Sequence, residues 1–356
     1  MIAALDVLPS DTDTTDARIF RPNEPQPQPE LPKGIDFLWL ELTGKCNLQC
    51  IHCYAESGPH LSTANETMTF EDWKRVLVDA FSLGCRNVQL IGGEPTIYPH
   101  LVELIAVARS IGYAFIEVFT NGTRFSQRLK EALKDFNVAL AFSVYSLRQD
   151  IHEAVTLRPG SLDKTIDSIR WTVAAQLPVR VGIIDTQINS DTIEDTRSFL
   201  KELGVGSVSV DRVRGVGRGA QSKKSPTSQF DELCGECWKG KLCVTSSGEA
   251  FPCVFSRFCS VGDVRNGLAS ILNTDELATF RSTAMDRVHS QQAQCYPNRT
   301  CSPATSCQPE YCNPNYDVCN PKCAPHTCGP NCNPSHGGGN CEPTCKPSYR
   351  PFGESR

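Results

Sequence analysis

The chain has 356 residues, 40% of them hydrophobic, and a net charge of −5 at pH 7. That length suggests two domains of ~150 residues each, and the mildly acidic balance gives no reason to expect a nucleic acid or an anionic membrane as a partner. The N-terminal MIAALDVLPSDTD has neither the basic region nor the apolar run of an export signal, and no stretch approaches the ~20 apolar residues of a membrane span, so a cytoplasmic location is expected.

Residues 1–34 read as an irregular segment, because the run Arg21-Pro22-Asn23-Glu24-Pro25-Gln26-Pro27-Gln28-Pro29 is extended and unsuited to a helix. Regular structure begins at Phe37–Leu42, a short apolar run read as a strand ending just before Cys46, Cys50 and Cys53. A helix is expected from Thr69, an N-cap residue with Glu71 and Asp72 in the first turn. Phe70, Trp73, Leu77, Ala80 and Phe81 share one face of it. Asn87–Ile91 reads as a strand running into Gly92-Gly93-Glu94-Pro95-Thr96. Helices at His100–Ile111, Phe125–Asp135, Leu162–Ala175 and Thr192–Leu203 then alternate with strands at Ala114–Thr120, Val138–Tyr145, Val179–Asp185 and Ser207–Val213. Six strands with intervening helices imply an α/β fold with a parallel sheet. The alternation alone permits a doubly wound sheet or a barrel. Both put ligands at the C-terminal strand ends, where the cysteine loop, Gly92–Thr96 and Thr120-Asn121-Gly122 fall.

The core so defined spans residues 35–214. Residues 215–230, rich in Gly, Ser and Lys, read as a linker to a second domain at 231–356. Four cysteines precede residue 233 and fifteen follow it. In a chain with no export signal this points to metals or chemistry rather than disulfides. Thr245–Pro252 reads as a β-hairpin with Ser247-Gly248 at its turn, followed by Gly262-Asp263-Val264-Arg265 and Leu268–Leu272. Cys295, Cys301, Cys307, Cys312, Cys319, Cys323, Cys328, Cys332, Cys341 and Cys345 each have proline two positions later. This C-x-P tail has few large apolar residues, so metals or disulfides are needed to order it.

Three cysteines spaced C-x3-C-x2-C can hold three irons of a [4Fe–4S] cube and leave the fourth open, because a closed cluster takes four cysteines. Taken alone, the triplet with His52 would equally serve as a zinc knuckle. Gly92 and Gly93 let a backbone approach without a Cβ in the way, and Glu94 supplies an acceptor for an ammonium. In the order strand, triplet, helix, strand, GGEPT, the sequence resembles the radical S-adenosylmethionine (SAM) superfamily. The resemblance implies a partial (β/α)6 TIM-like barrel and a [4Fe–4S] cluster at Cys46, Cys50 and Cys53 whose open iron chelates SAM. It implies that the turn at Gly92, Gly93 and Glu94 meets the SAM amino group, with His52, Ser143 and Arg158 also near SAM. At one of these places the chain departs from its relatives, having Ser143-Val144-Tyr145-Ser146 where they often have S-x-D-G.

Cys237, Gly248 and Cys253 match the pattern C-x(9–15)-G-x4-C, half of the signature of the SPASM extension found behind many such barrels. This resemblance implies a cysteine-rich, loop-dominated iron–sulfur domain with one or two auxiliary [4Fe–4S] clusters. Candidate ligands are Cys234, Cys237, Cys243 and Cys253, with Cys295, Cys301, Cys307 and Cys312 from the tail. Tail spacings depart from the rest of the signature, so ligands there cannot be carried over one by one.

Glu41, Glu117, Asp185, Asp211 and Arg212 lie on or near predicted strands. Charges there face a barrel's lumen or its strand ends, where they would hold substrate or move protons; a structural role is the competing reading for each. The resemblance implies reductive cleavage of SAM to a 5′-deoxyadenosyl radical, which takes a hydrogen atom from the substrate. The leading substrate is a ribosomally made precursor peptide, undergoing crosslinking, epimerisation or oxidation. A flavodoxin- or ferredoxin-type electron donor is expected. The ~34 irregular N-terminal residues are too few for the ~80-residue leader-binding domain that some of these enzymes carry, so a separate leader-binding protein, or recognition by the C-terminal domain, is expected. Two alternatives stand beside this reading: a radical SAM dehydrogenase or epimerase acting on a small molecule, and a non-catalytic metal- or thiol-binding protein.

Overall fold

A computed structural model describes residues 34–222 and 228–293; the C-x-P tail and the N-terminal proline run lie outside the described residues. Nine strands form one sheet in the order β6-β5-β4-β3-β2-β1-β7-β8-β9. The first six are β1 (Phe37–Glu41), β2 (Asn87–Ile91), β3 (Phe115–Thr120), β4 (Ala139–Ser143), β5 (Val179–Asp185) and β6 (Ser207–Arg212). Each pairs in parallel with the next, as the helix between each pair requires. The intervening helices are α1 (Phe70–Ser82), α2 (Leu101–Ile111), α3 (Gln127–Asp135), α4 (Gln149–Thr156), α5 (Ser161–Ala174) and α6 (Ile193–Glu202). Strictly sequential strand order selects the partial barrel over the doubly wound sheet, whose order must reverse at a switch point. The sheet does not close: β6 ends it on one side, and β1 continues into β7 on the other.

Local chemistry accounts for the elements. Thr69 caps α1 by accepting from the Asp72 amide while the Asp72 carboxylate accepts from the Thr69 amide, a reciprocal capping box. Trp73, Val76, Leu77 and Ala80 form its buried face. β2 and β4 are almost wholly buried, as strands covered on both faces must be. Arg109, at the end of α2, donates to the carbonyls of Tyr113, Phe136 and Asn137 and so ties together the turns at two helix ends. Two helices escaped the sequence reading. α4 is only eight residues long and ends at Leu157 in the left-handed region, a stop with no glycine to announce it. α8 (Asp275–Ala293) has an unresolved apolar pattern because it packs on two surfaces.

A hairpin turns at the expected Ser247-Gly248, but its first strand, β7 (Lys241–Val244), lies before the expected span Thr245–Pro252 and only its second, β8 (Glu249–Phe251), lies within it; β9 (Gly262–Asp263) pairs beyond. β7 pairs in parallel with β1, from Phe37 opposite Lys241 to Leu40 opposite Val244. The second domain thus extends the sheet of the first. After α7 (Leu268–Leu272), α8 brings Phe280, Ala284 and Met285 against Leu233, Cys237, Trp238 and Cys253 in a small second core.

Candidate functional site

Directly after β1 the chain turns at Gly44 and enters the cysteine loop. Lys45 bridges Gly58, closing the loop on itself. The turn after β2 lies against the start of this loop: the Gly93 amide donates to the Thr43 carbonyl at 2.6 Å and the Glu94 amide to the Lys45 carbonyl at 2.9 Å. A Cβ on Gly93 would stand 2.1 Å from the Lys45 oxygen, and one on Gly92, at φ +150°, 2.6 Å from the Thr43 oxygen. Both positions therefore need glycine.

Cys46 is buried and Cys50 and Cys53 half-buried. Donors converge on their sulfurs: the Leu48 amide at 3.4 Å and Asn121 Nδ2 at 3.7 Å from Cys46, and the Tyr145 hydroxyl at 4.0 Å from Cys50. Burial pushes the Cys46 and Cys50 thiols up to about 12, so a bare thiolate is disfavoured at neutral pH.

Glu94 is fully buried, and four protein donors engage its carboxylate. Oε1 accepts from the Thr96 amide, Thr96 Oγ1 and Thr120 Oγ1, and Oε2 from the Asn121 amide. Oε2 keeps one lone-pair direction for a further donor. Glu94 thus fastens the β2 turn to the end of β3 as well as facing Cys46, whose thiol it raises. His52 packs edge-on against Tyr145, ring centroids 5.0 Å apart. Its Nδ1 is buried without a partner. Burial, with a smaller push from Arg218, lowers its pKa to about 4, so it is a neutral imidazole at pH 7.

The remaining sequence candidates divide. Ser143 bonds the Tyr145 hydroxyl, which places it behind Cys50. Arg158 is exposed after α4, with no side-chain hydrogen bond or ion pair among the described residues. Glu117 is buried under a two-pronged Arg180 pair at 2.8 Å and also accepts from Gln89. Asp211 is held by Arg214, and Arg212 by Glu232. Asp185 is exposed and accepts from Ser190. Glu117 and Asp211 are thus each held in an ion pair with an arginine. Cys85 is a buried thiol donating to the Asn87 carbonyl.

A second group of thiols forms in the C-terminal domain. Cys234, Cys237 and Cys253 lie within 4.8 Å of one another, the first two 3.5 Å apart. That is far beyond the ~2.05 Å of a disulfide. Hydrogen bonds from its neighbours lower the Cys234 thiol. Three thiols leave one ligand of a closed site to be found; Cys295, Cys301, Cys307 and Cys312 lie outside the described residues. Cys243 is set apart on β7 beside Glu41 and Arg257. Against the cysteine loop lies a polar cavity of about 240 Å³, lined by Glu41, Thr43, Tyr54, Ser57, Gly93 and Arg257. Glu41 accepts from Arg257 and, at 3.1 Å, from the Tyr54 hydroxyl.

Asn121, Tyr145 and Arg218 reach the cysteine loop without having been singled out as ligands from sequence. For Arg218 a signal existed: glycine on both sides, at 217 and 219, marks close backbone approach.

Residues 40–203 match the radical SAM superfamily model, and residues 221–307 match the SPASM iron–sulfur cluster-binding domain. The subtilosin biosynthesis protein AlbA of Bacillus subtilis is 26% identical over 268 residues, covering 66% of this chain and 59% of that protein. A GTP 3′,8-cyclase of Heliobacterium modesticaldum is 32% identical over 169 residues, covering 46% of this chain and 50% of the cyclase. The chain therefore spans only about half to three-fifths of these relatives. The solved structure of Streptococcus suis SuiB bound to precursor peptide SuiA superposes with a TM-score of 0.59 at 17% identity, over 71% of this chain and 68% of SuiB.

Proposed function

The chain is a radical SAM enzyme with a SPASM domain, its cofactors SAM and [4Fe–4S] clusters, and from that premise we propose that it matures a ribosomally made precursor peptide. Cys46, Cys50 and Cys53 would hold the cluster that binds SAM, and Cys234, Cys237 and Cys253 would contribute to an auxiliary one. When bound, the reduced cluster and SAM supply a 5′-deoxyadenosyl radical able to remove a hydrogen atom from an unactivated carbon.

The residues of the chain do the rest. Gly92 and Gly93 keep side chains out of the space beside Cys46, so that a ligand's amino group can meet backbone. The Oε2 of Glu94 offers it one acceptor. Neutral His52 and Tyr145 cover the loop and exclude water, which protects a radical from side reactions. Glu41 and Arg257, paired across the cavity, present an acceptor and donors at its wall and would orient an amide.

One observation carries the peptide reading: the chain is similar to the subtilosin biosynthesis protein AlbA over 268 residues and to the sporulation killing factor maturation protein SkfB over 195, both of Bacillus subtilis. The cavity at Glu41 and Arg257, about 240 Å³, has room for one side chain of an extended peptide. Lining residues come from both domains, Ser246 and Arg257 among them. Crosslinking, epimerisation and oxidation all begin with the same hydrogen abstraction, and an oxidative outcome would classify the enzyme as an oxidoreductase. A flavodoxin- or ferredoxin-type donor, a separate leader-binding protein and a cytoplasmic setting complete the proposal; among the described residues no helix is long and apolar enough to cross a membrane.

The test is mass spectrometry of precursor peptides encoded beside the gene, after anaerobic incubation with reconstituted enzyme, SAM and dithionite. A SAM-dependent loss of hydrogens, or solvent deuterium incorporation, supports the proposal. Release of 5′-deoxyadenosine driven only by a small molecule overturns it in favour of the small-molecule reading.

A further inference from the structure

β6 does not lead into a free linker. Val213–Gly219 passes from one thiol group to the other and bonds to both. At its start, Arg214 Nη1 donates to the carbonyls of Glu232 and Leu233, each at 3.0 Å; Leu233 directly precedes Cys234. The same guanidinium pairs with Asp211 at 2.6 Å and lies 5.3 Å from the ring of Phe255, two residues past Cys253. Four residues on, Arg218 bonds to the cysteine loop. Its amide donates to the Cys53 carbonyl at 3.0 Å, Nε to the Cys50 carbonyl at 2.9 Å and Nη2 to the Ser57 carbonyl at 2.7 Å. The contact is close: a Cβ on Gly217 would stand 2.3 Å from the Tyr54 oxygen.

The two arginines differ in one respect. The charge of Arg214 is matched by Asp211, whereas Arg218 has no carboxylate partner among the described residues and neutralises nothing in the carbonyls it bonds. A half-buried cation without a counter-ion, beside a sulfur that becomes a thiolate ligand, stabilises negative charge there.

We propose that Val213–Gly219 is a brace shared by the two metal sites, and that Arg218 is a positioning residue which holds the Cys50–Ser57 turn and raises the reduction potential of the cluster at Cys46, Cys50 and Cys53. The inference rests on the reading that those cysteines hold the SAM-binding cluster. Adding an electron makes that cluster more negative, and a fixed positive charge favours the reduced form; hydrogen bonds and nearby charge are recognised settings of iron–sulfur potentials. The fork of an arginine is needed because one side chain must span two carbonyls, which a single ammonium cannot do with fixed geometry.

The experiment uses the full chain, reconstituted anaerobically, as wild type, Arg218→Gln and Arg218→Lys, with a Cys46→Ala/Cys50→Ala/Cys53→Ala variant to assign the signals. Redox titration followed by electron paramagnetic resonance reads each cluster's potential, and bleaching by a chelator reads its lability. In Arg218→Gln the loop cluster is expected to titrate at a more negative potential and to bleach faster, with the auxiliary signal unmoved. Arg218→Lys should return the potential toward wild type while keeping the faster bleaching. A wild-type potential in Arg218→Gln overturns the proposal while leaving the cluster reading intact. Unchanged iron in the triple-cysteine variant removes the cluster reading itself, and the proposal with it.

Discussion

A single methyl group tests how tightly the β2 turn is built. Gly93→Ala would place its Cβ 2.1 Å from the Lys45 oxygen, and backbone cannot rotate away as a side chain can. The expected cost is about 3 kcal/mol, in the upper range for overpacking, read as a lower urea midpoint at unchanged m-value. His152 provides a second test. It is buried, its Nδ1 accepts from the Tyr145 amide at 3.3 Å, and burial lowers its pKa to about 4. Below about 6.5 the unfolded chain binds a proton that the folded chain refuses. The stabilisation is therefore complete above 6.5 and is lost as pH falls toward 4. Metal-free protein should lose about 2 kcal/mol from this group between pH 7 and pH 5, and His152→Asn should flatten that slope in urea titrations. Cysteines 46, 50 and 53 and the glycines were legible because their spacing carries the chemistry. Asn121 and Tyr145 were not, because what makes them relevant is a sulfur contributed by a distant segment.

At the scale of elements, the join between β1 and the C-terminal hairpin is secured by Glu41 and Arg257. The Glu41 side chain is only 9% exposed, and Arg257 reaches it from beyond Cys253. Arg257→Ala would leave a buried carboxylate with the Tyr54 hydroxyl and the weakly donating Cys243 thiol as its remaining partners, at a cost of about 3 kcal/mol. Glu41→Gln/Arg257→Ala, which removes the stranded charge, should recover part of that loss; a double-mutant comparison by urea unfolding checks it. Thr69 as the cap of α1 was readable because capping is local. The pairing of β7 with β1 was not, because a short apolar strand carries no label for its neighbour and the choice depends on which edge the fold leaves open.

For the whole molecule, iron content is the deciding quantity. Reconstituted wild type should lose about four irons in the Cys46→Ala/Cys50→Ala/Cys53→Ala variant and a separate complement in Cys234→Ala/Cys237→Ala/Cys253→Ala, since each cube holds four irons. Equal iron in all three proteins would contradict both assignments. The sequence by itself determined the six-fold strand–helix alternation, the cysteine triplet at a strand's C-terminal end and the glycine turn after β2, because each is set by spacing within a few residues. Only the tertiary structure decided that the sheet runs on into the second domain, that Cys234, Cys237 and Cys253 lie together, and that Arg218 bonds to the cysteine loop. Those outcomes depend on contacts as distant in sequence as Phe37 with Lys241, which packing selects and local pattern does not encode.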